Sequence, residues 1–189
     1  MKTIIYFMRH GEVYNPSGVV YGRLSGFRLS ENGIKQVEKS SLFFERVKLD
    51  KIYSSPLLRA RQSAQIIADH LHKKVQISRL LTEVKLVHEG VSLEKYHRKL
   101  QPYIYDSKYQ KEGQESIDQI TMRMMKFVKL ITKKHKNKSV LAISHGDPIM
   151  ILKTHILGRK FTWLYKKNNY LSTSQWLKLE ASEGKYTII

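Results

Sequence analysis

The chain opens on an apolar run, Ile4-Ile5-Tyr6-Phe7-Met8, too short for a helix and rich in β-formers, so it reads as a buried strand. It stops at Arg9-His10-Gly11. A loop carrying Gly11, Pro16, Gly18, Gly22 and Gly26 follows. Ser30 then stands as the N-cap of a helix whose apolar side includes Ile34, Val37 and Phe44. Lys51-Ile52-Tyr53-Ser54 predicts a second strand, broken by Ser55-Pro56. Leu57, Ala60, Ala64, Ile67 and Leu71 recur at spacings of three and four, which predicts a helix with one buried face. Val75-Gln76-Ile77 reads as a short edge strand. Ile117, Ile120, Met124, Phe127, Val128 and Ile131 mark a long amphipathic helix, and Ser139 to Ser144 a third buried strand ending in His145-Gly146-Asp147-Pro148. Pro148 suits the first turn of a further helix, with Asp147 as its predicted cap. One or two strands around Ser174–Leu179 and Tyr186–Ile189 close the pattern.

Short apolar runs alternating with helical periods predict an α/β fold with a mostly parallel sheet. No repeat, low-complexity stretch or Gly/Ser linker interrupts it, and 189 residues suit one domain, so residues 1–189 read as a single unit. Residues 84–114 depart from the alternation. Pro102, Gly113 and the tyrosines at 103, 105 and 109 predict an excursion over the fold, with packing as the tyrosines' expected role and a lid over a site as the alternative.

Three predicted strands end in reactive residues: Arg9-His10-Gly11, Ser54-Ser55-Pro56 leading to Arg59, and His145-Gly146. In open α/β sheets ligands bind beyond the carboxyl ends of the strands, so these groups are placed for a site. Two arginines there can neutralise a phosphoryl group through their forks of donors. A neutral imidazole can attack phosphorus in line while a second histidine stabilises the equatorial oxygens. His10, Glu12, His145 and Asp147 could be drawn as a metal cluster, but no ligand spacing such as His-x-x-x-His occurs, and Arg9 beside His10 would repel a cation. The expectation is therefore phosphoryl chemistry with no metal and no cofactor.

Composition narrows the rest. The chain has no cysteine, which removes disulfides, thiolate metal sites and a cysteine nucleophile. It has no apolar run of the roughly 18 residues that a membrane span needs. The first apolar stretch is short for a secretory signal and runs into Arg9-His10 rather than a cleavage site, so the expected location is cytoplasmic. The formal net charge of +18 favours anionic ligands. Its densest cluster, Lys133, Lys134, Lys136 and Lys138, falls where the long helix should end and complements the helix dipole. The charge by itself predicts only non-specific nucleic-acid binding, and no membrane partner.

The motifs resemble those of the histidine phosphatase superfamily, the phosphoglycerate mutase-like proteins. The matching segments are Phe7-Met8-Arg9-His10-Gly11-Glu12 with Asn15, Tyr21-Gly22-Arg23-Leu24-Ser25-Gly26, and Leu29-Ser30-Glu31-Asn32-Gly33. Ser54-Ser55-Pro56-Leu57-Leu58-Arg59-Ala60-Arg61-Gln62-Ser63-Ala64, Glu115-Ser116 with Arg123, and Ser144-His145-Gly146-Asp147 follow in the same order. The resemblance implies a three-layer αβα sandwich and a phosphohistidine on His10. It implies that Arg9, Arg59 and His145 complete the phosphate pocket, that Glu83 is the proton donor, and that Asn15 and Arg23 line the substrate side. Glu89 is the rival to Glu83, because the stretch from Val84 to Glu89 is shorter than the family pattern. Arg61 is expected on the surface. The resulting expectation is a metal-independent phosphomonoesterase acting on a small phosphorylated metabolite. Its alternatives are a phosphoglycerate mutase, a protein phosphohistidine phosphatase, and, from another class, a basic nucleic-acid or partner-binding module on the same fold.

Overall fold

The structure is a computed structural model and describes residues 2–182 and 184–189. Six strands form one sheet: β1 (Lys2–Arg9), β2 (Lys51–Ser54), β3 (Val75–Ile77), β4 (Ser139–Ser144), β5 (Trp176–Ser182) and β6 (Lys185–Ile188). Their order is β3-β2-β4-β1-β5-β6. The first four run parallel, β5 pairs antiparallel with β1, and β6 pairs antiparallel with β5 at the edge. The main helices are α1 (Glu31–Val47), α2 (Leu58–His70), α3 (Ile117–Lys134), α4 (Gly146–Ile156) and α5 (Trp163–Asn169).

Alternation along the central strands divides the core into two layers, because successive side chains leave a strand on opposite faces. Ile5 and Phe7 of β1, with Val140 and Ala142 of β4, meet Met124, Phe127 and Ile131 of α3 and Ile149 and Leu152 of α4. Tyr6 and Met8, with Leu141 and Ile143, meet Val37 and Phe44 of α1 and Ala60, Ala64 and Ile67 of α2. Apolar residues on both faces of β1 and β4 explain why these strands read as continuous hydrophobic runs. The result is the expected helix-sheet-helix sandwich. Ile34 departs from its predicted place on the buried side of α1: it is 37% exposed, and Gly33 and Val37 carry that face instead.

The topology brings three strand ends together. β4 lies between β1 and β2, with Arg9 opposite Ser144 and Ser54 opposite Ile143. Residues 10, 55 and 145 therefore leave the sheet side by side. The chain after β1 is held close to α1 by two glycines. A Cβ on Gly11 would lie 2.5 Å from the Gly33 carbonyl oxygen, and one on Gly33 would lie 2.1 Å from that of Glu12. Between residues 84 and 114 the chain makes short helical turns and no strand longer than an isolated bridge, Val19 to Ser92.

Candidate active site

His10 follows β1 and is almost sealed, at 1% exposure. Its backbone N–H donates to the Ser144 carbonyl at 3.2 Å, so β4 fixes where the ring begins. Nδ1 lies 2.7 Å from the Gly11 carbonyl oxygen, which can only accept, so Nδ1 carries the proton. Nε2 is then the nitrogen with the free lone pair. Arg59 Nε donates to it at 3.1 Å. Burial holds the His10 pKa well below the usual histidine value, and the charges of Arg59 and Arg9 push it further the same way. The lowered pKa favours the neutral ring, and its lone-pair nitrogen is the one turned to the arginine.

Arg59 comes from the first turn of α2 and has the largest fully buried side chain, again at 1% exposure. Besides His10 it reaches the Gly22 carbonyl at 2.7 Å and His145 Nδ1 at 3.2 Å, while the Tyr21 ring covers the guanidinium. Because a guanidinium only donates, His145 Nδ1 accepts in this arrangement. His145 Nε2 then donates to Ser55 Oγ at 2.8 Å. A serine hydroxyl can also donate, so the pair can exchange roles and turn a proton on Nδ1 toward an anion. Burial lowers the His145 pKa well below the ordinary value, with Arg59 and His10 adding to it. The two imidazoles stand 5.1 Å apart between ring centroids.

Glu83 follows a short helical turn and lines the same cavity, of about 260 Å³, as Arg9 and His10. Its Oε1 accepts the Val84 N–H at 2.9 Å, leaving Oε2, 3.8 Å from His145 Nδ1, as the free oxygen. Burial raises the Glu83 pKa and the nearby Asp147 carboxylate raises it further, against the pull of Arg59. A carboxyl pushed toward its protonated form beside a neutral imidazole is suited to giving a proton. Arg9 donates from Nη1 to the Leu171 carbonyl at 2.8 Å and stacks on Tyr170, while its buried Nε has no partner.

Glu89, the rival carboxylate, is used elsewhere. It accepts the Arg23 backbone N–H at 2.7 Å and holds the Gly22–Arg23 turn. Asn15, Arg23, Arg59 and His145 are not among the residues lining the cavity; Arg59 and His145 reach it through His10, which Arg59 contacts directly. The Asn15 amide closes its own loop on both backbone groups of Val19. The Arg23 guanidinium is occupied by Glu115 at 2.6 Å and by the Glu83 carbonyl at 2.7 Å. Arg123 joins the same group, bonding Glu115 at 2.9 Å and the Leu80 carbonyl at 2.8 Å. Arg23 therefore supports the Glu83 backbone rather than facing the pocket. Arg61 is exposed, as expected.

Asp147 corrects its predicted role. The cap position of α4 is His145, and Asp147 lies inside the first turn with its carboxylate buried. Oδ2 accepts from Tyr105 Oη at 2.6 Å and from Lys166 Nζ at 2.7 Å. Burial opposes its charge, but the Lys166 ammonium and the hydroxyl donors outweigh that and hold its pKa down. Lys166, Tyr96 and Tyr170 also line the cavity and were not singled out by sequence. Ser55 lies within the matched Ser54-Ser55-Pro56-Leu57-Leu58-Arg59 segment, but no role is assigned to it there; the structure pairs it with His145. Among the described residues no three histidine, aspartate or glutamate side chains converge as a metal-ligand group, and no helix is long and apolar enough to cross a membrane.

Comparison with known proteins identifies the family and the fold. Residues 5–189 match the family model of the histidine phosphatase superfamily (branch 1). Phosphoserine phosphatase 1 of Hydrogenobacter thermophilus is 31% identical over 163 residues, covering 82% of this chain and 76% of its own length. The metal-independent phosphoserine phosphatase of Arabidopsis thaliana is 30% identical over 156 residues, 76% of this chain and 64% of that one. Among solved structures, a mutant phosphoserine phosphatase from Entamoeba histolytica in complex with phosphoserine superposes with a TM-score of 0.79 at 22% identity, covering 98% of this chain and 94% of the other. That likeness speaks for the fold.

Proposed function

This chain belongs to the histidine phosphatase superfamily, branch 1, and on that premise we propose that it hydrolyses small phosphomonoesters through a phosphohistidine on His10, without a metal. The observation that carries the reading is the contact of the unprotonated His10 Nε2 with the buried Arg59 guanidinium, beside a pocket lined by His10, Arg9 and Glu83.

In the first step Nε2 attacks phosphorus, the bond to the alcohol oxygen breaks, and the proton on Glu83 passes to that oxygen. The imidazole becomes positive as the N–P bond forms, and the Gly11 carbonyl at Nδ1 stabilises that charge. Arg59, Arg9 and His145 take the phosphoryl oxygens; Arg59 gives up Nε2 as phosphorus arrives. In the second step water attacks phosphorus, the ionised Glu83 accepts a proton from it, and the N–P bond breaks to free phosphate. Phosphoryl transfer of this kind requires positioning and charge neutralisation above all. We take residues 1–189 as one catalytic unit, with 84–114 as a cover over the pocket, since Leu86, Leu93 and Tyr96 line it.

The small cavity favours a short ester of the phosphoserine or phosphoglycerate size over a nucleotide. Phosphoserine is the substrate that the names of the Hydrogenobacter and Arabidopsis relatives point to. The test is phosphate release from a panel of phosphomonoesters in excess EDTA. Multiple turnover of at least one short ester, unchanged by chelator, is the expected result. No release, or release only after Mg²⁺ or Zn²⁺ is returned, would contradict the reading.

A further inference from the structure

Arg9 and Arg59 are held in the same way. The Arg9 guanidinium lies 5.0 Å from the centroid of the Tyr170 ring and donates from Nη1 to the carbonyl of Leu171, the next residue, at 2.8 Å. The Arg59 guanidinium lies 4.7 Å from the centroid of the Tyr21 ring and donates from Nη2 to the carbonyl of Gly22, again the next residue, at 2.7 Å. Residues 21 and 170 belong to unrelated stretches, the loop after β1 and the segment after α5. Each nevertheless offers a ring and the following carbonyl to one arginine, and both rings line the cavity. The remaining partners of Arg59, His10 Nε2 and His145 Nδ1, are imidazole nitrogens. Carboxylates are used elsewhere. Arg23 and Arg123 pair with Glu115, and Lys166 pairs with Asp147. Among the described residues neither Arg9 nor Arg59 forms an ion pair with a carboxylate.

We infer that Tyr21 and Tyr170 are positioning residues for the two arginines, each gripping a guanidinium through its ring face and the adjoining carbonyl so that the positive charge is left for the phosphoryl group. This rests on the reading that the pocket takes phosphomonoesters. A buried cation needs compensation, and a carboxylate is the usual source. A carboxylate at that point would also repel an incoming dianion. An aromatic face and a carbonyl dipole attract a guanidinium without carrying net charge, so they steady it and leave its attraction for an anion in place. Both rings are themselves braced. The Tyr21 ring packs on Phe27 at 5.2 Å between centroids. The Tyr170 hydroxyl bonds to the Asp147 carboxylate. A Cβ on Gly146 would collide with that hydroxyl, so the glycine after His145 is what admits the ring. Rings that merely walled the cavity would have no reason to bring the following carbonyl to the same guanidinium.

The experiment is titration of the full chain with inorganic phosphate, followed by ³¹P NMR for affinity and by the arginine side-chain ¹H–¹⁵N signals for the guanidiniums. Tyr21→Leu and Tyr170→Leu remove the ring face, whereas Tyr21→Phe and Tyr170→Phe keep it. Each leucine variant should bind phosphate about tenfold more weakly than the native chain, and each phenylalanine variant within about threefold of it. Tyr170→Leu should shift the Arg9 Nε–H signal and leave that of Arg59, and Tyr21→Leu should do the reverse. Leucine variants that bind phosphate as the native chain does overturn the inference. So do phenylalanine variants that lose as much as their leucine counterparts, and leucine variants that disturb both arginine signals alike. Methionine takes the place of leucine if a leucine variant does not fold. A native chain that binds no phosphate contradicts the phosphatase reading itself, and the arginine signals then still decide whether the rings hold the guanidiniums.

Discussion

Arg59 Nε donates to His10 Nε2 across 3.1 Å, so the positive group and the lone pair between which the proposed phosphoryl transfer would occur are already in contact. The contact also keeps the imidazole neutral, because a guanidinium beside Nε2 penalises a proton there. On the proposed reading, an arriving phosphate would only have to exchange one acceptor for another. The guanidinium moves from a nitrogen lone pair to a phosphoryl oxygen, a stronger charge-assisted bond.

Ser55 is expected to act through His145. Ser55→Ala removes the partner of His145 Nε2 and leaves a buried ring nitrogen unsatisfied, at a cost of about 1–3 kcal/mol in stability. It also removes the hydroxyl that lets the ring present a proton on Nδ1. We expect kcat to fall at least about tenfold with KM little changed, as for loss of a donor to developing charge. Steady-state kinetics on folded variant checks this, and a native kcat combined with a lowered Tm would reduce Ser55 to a structural role.

Glu83→Gln keeps the shape of the side chain and removes its transferable proton. A general acid matters most when the leaving group departs poorly by itself, so phosphorylation of His10 by an alkyl phosphate should slow about a hundredfold or more, and by p-nitrophenyl phosphate far less. The step must be followed before steady state, since loss of the base slows hydrolysis of phosphohistidine for every substrate. Equal losses with both leaving groups would show that Glu83 only positions its neighbours.

The buried imidazoles make stability depend on pH. His10 has a folded pKa well below its unfolded value of about 6.5, so between those two values the unfolded chain binds more protons. Stability is then complete above about pH 6.5 and declines as the pH falls below it. His145 acts in the same direction. Thermal unfolding at a series of pH values should show Tm falling from pH 7 to pH 5, and His10→Ala should make the fall shallower. Parallel curves for the two proteins would show that His10 is not held neutral by the fold.

The strand ends were legible because buried strands announce themselves, and a polar residue directly after one has few places to go. That logic reached Arg9, His10 and His145, and the helix after β2 carried it to Arg59. It failed where partners are distant in sequence. Arg23 is expected on the substrate side from the resemblance alone; its guanidinium pairs with Glu115, 92 residues away, a partner that the local sequence does not indicate. Asn15 has the side chain of a binding residue but spends it on Val19, which only the loop's path reveals. Asp147 resembled a cap because it precedes a proline, yet its carboxylate answers Lys166 and Tyr105, which arrive from opposite directions along the chain. Lys166 could not be told from the other lysines of a chain with a net charge of +18. Ile34 kept the helical period but fell at the rim of its face.

The central claim is that His10 Nε2 carries the phosphoryl group during turnover. The most direct measurement is rapid acid-free quench of the protein with a ³²P-labelled short ester, followed by peptide mapping and ³¹P NMR of the trapped adduct. The account predicts an acid-labile, base-stable phosphoramidate on Nε2 of His10, formed at a rate no slower than turnover and absent in His10→Ala, which should keep its fold and lose catalysis. Label on any other residue, or turnover near the native rate by the folded His10→Ala variant, would contradict it.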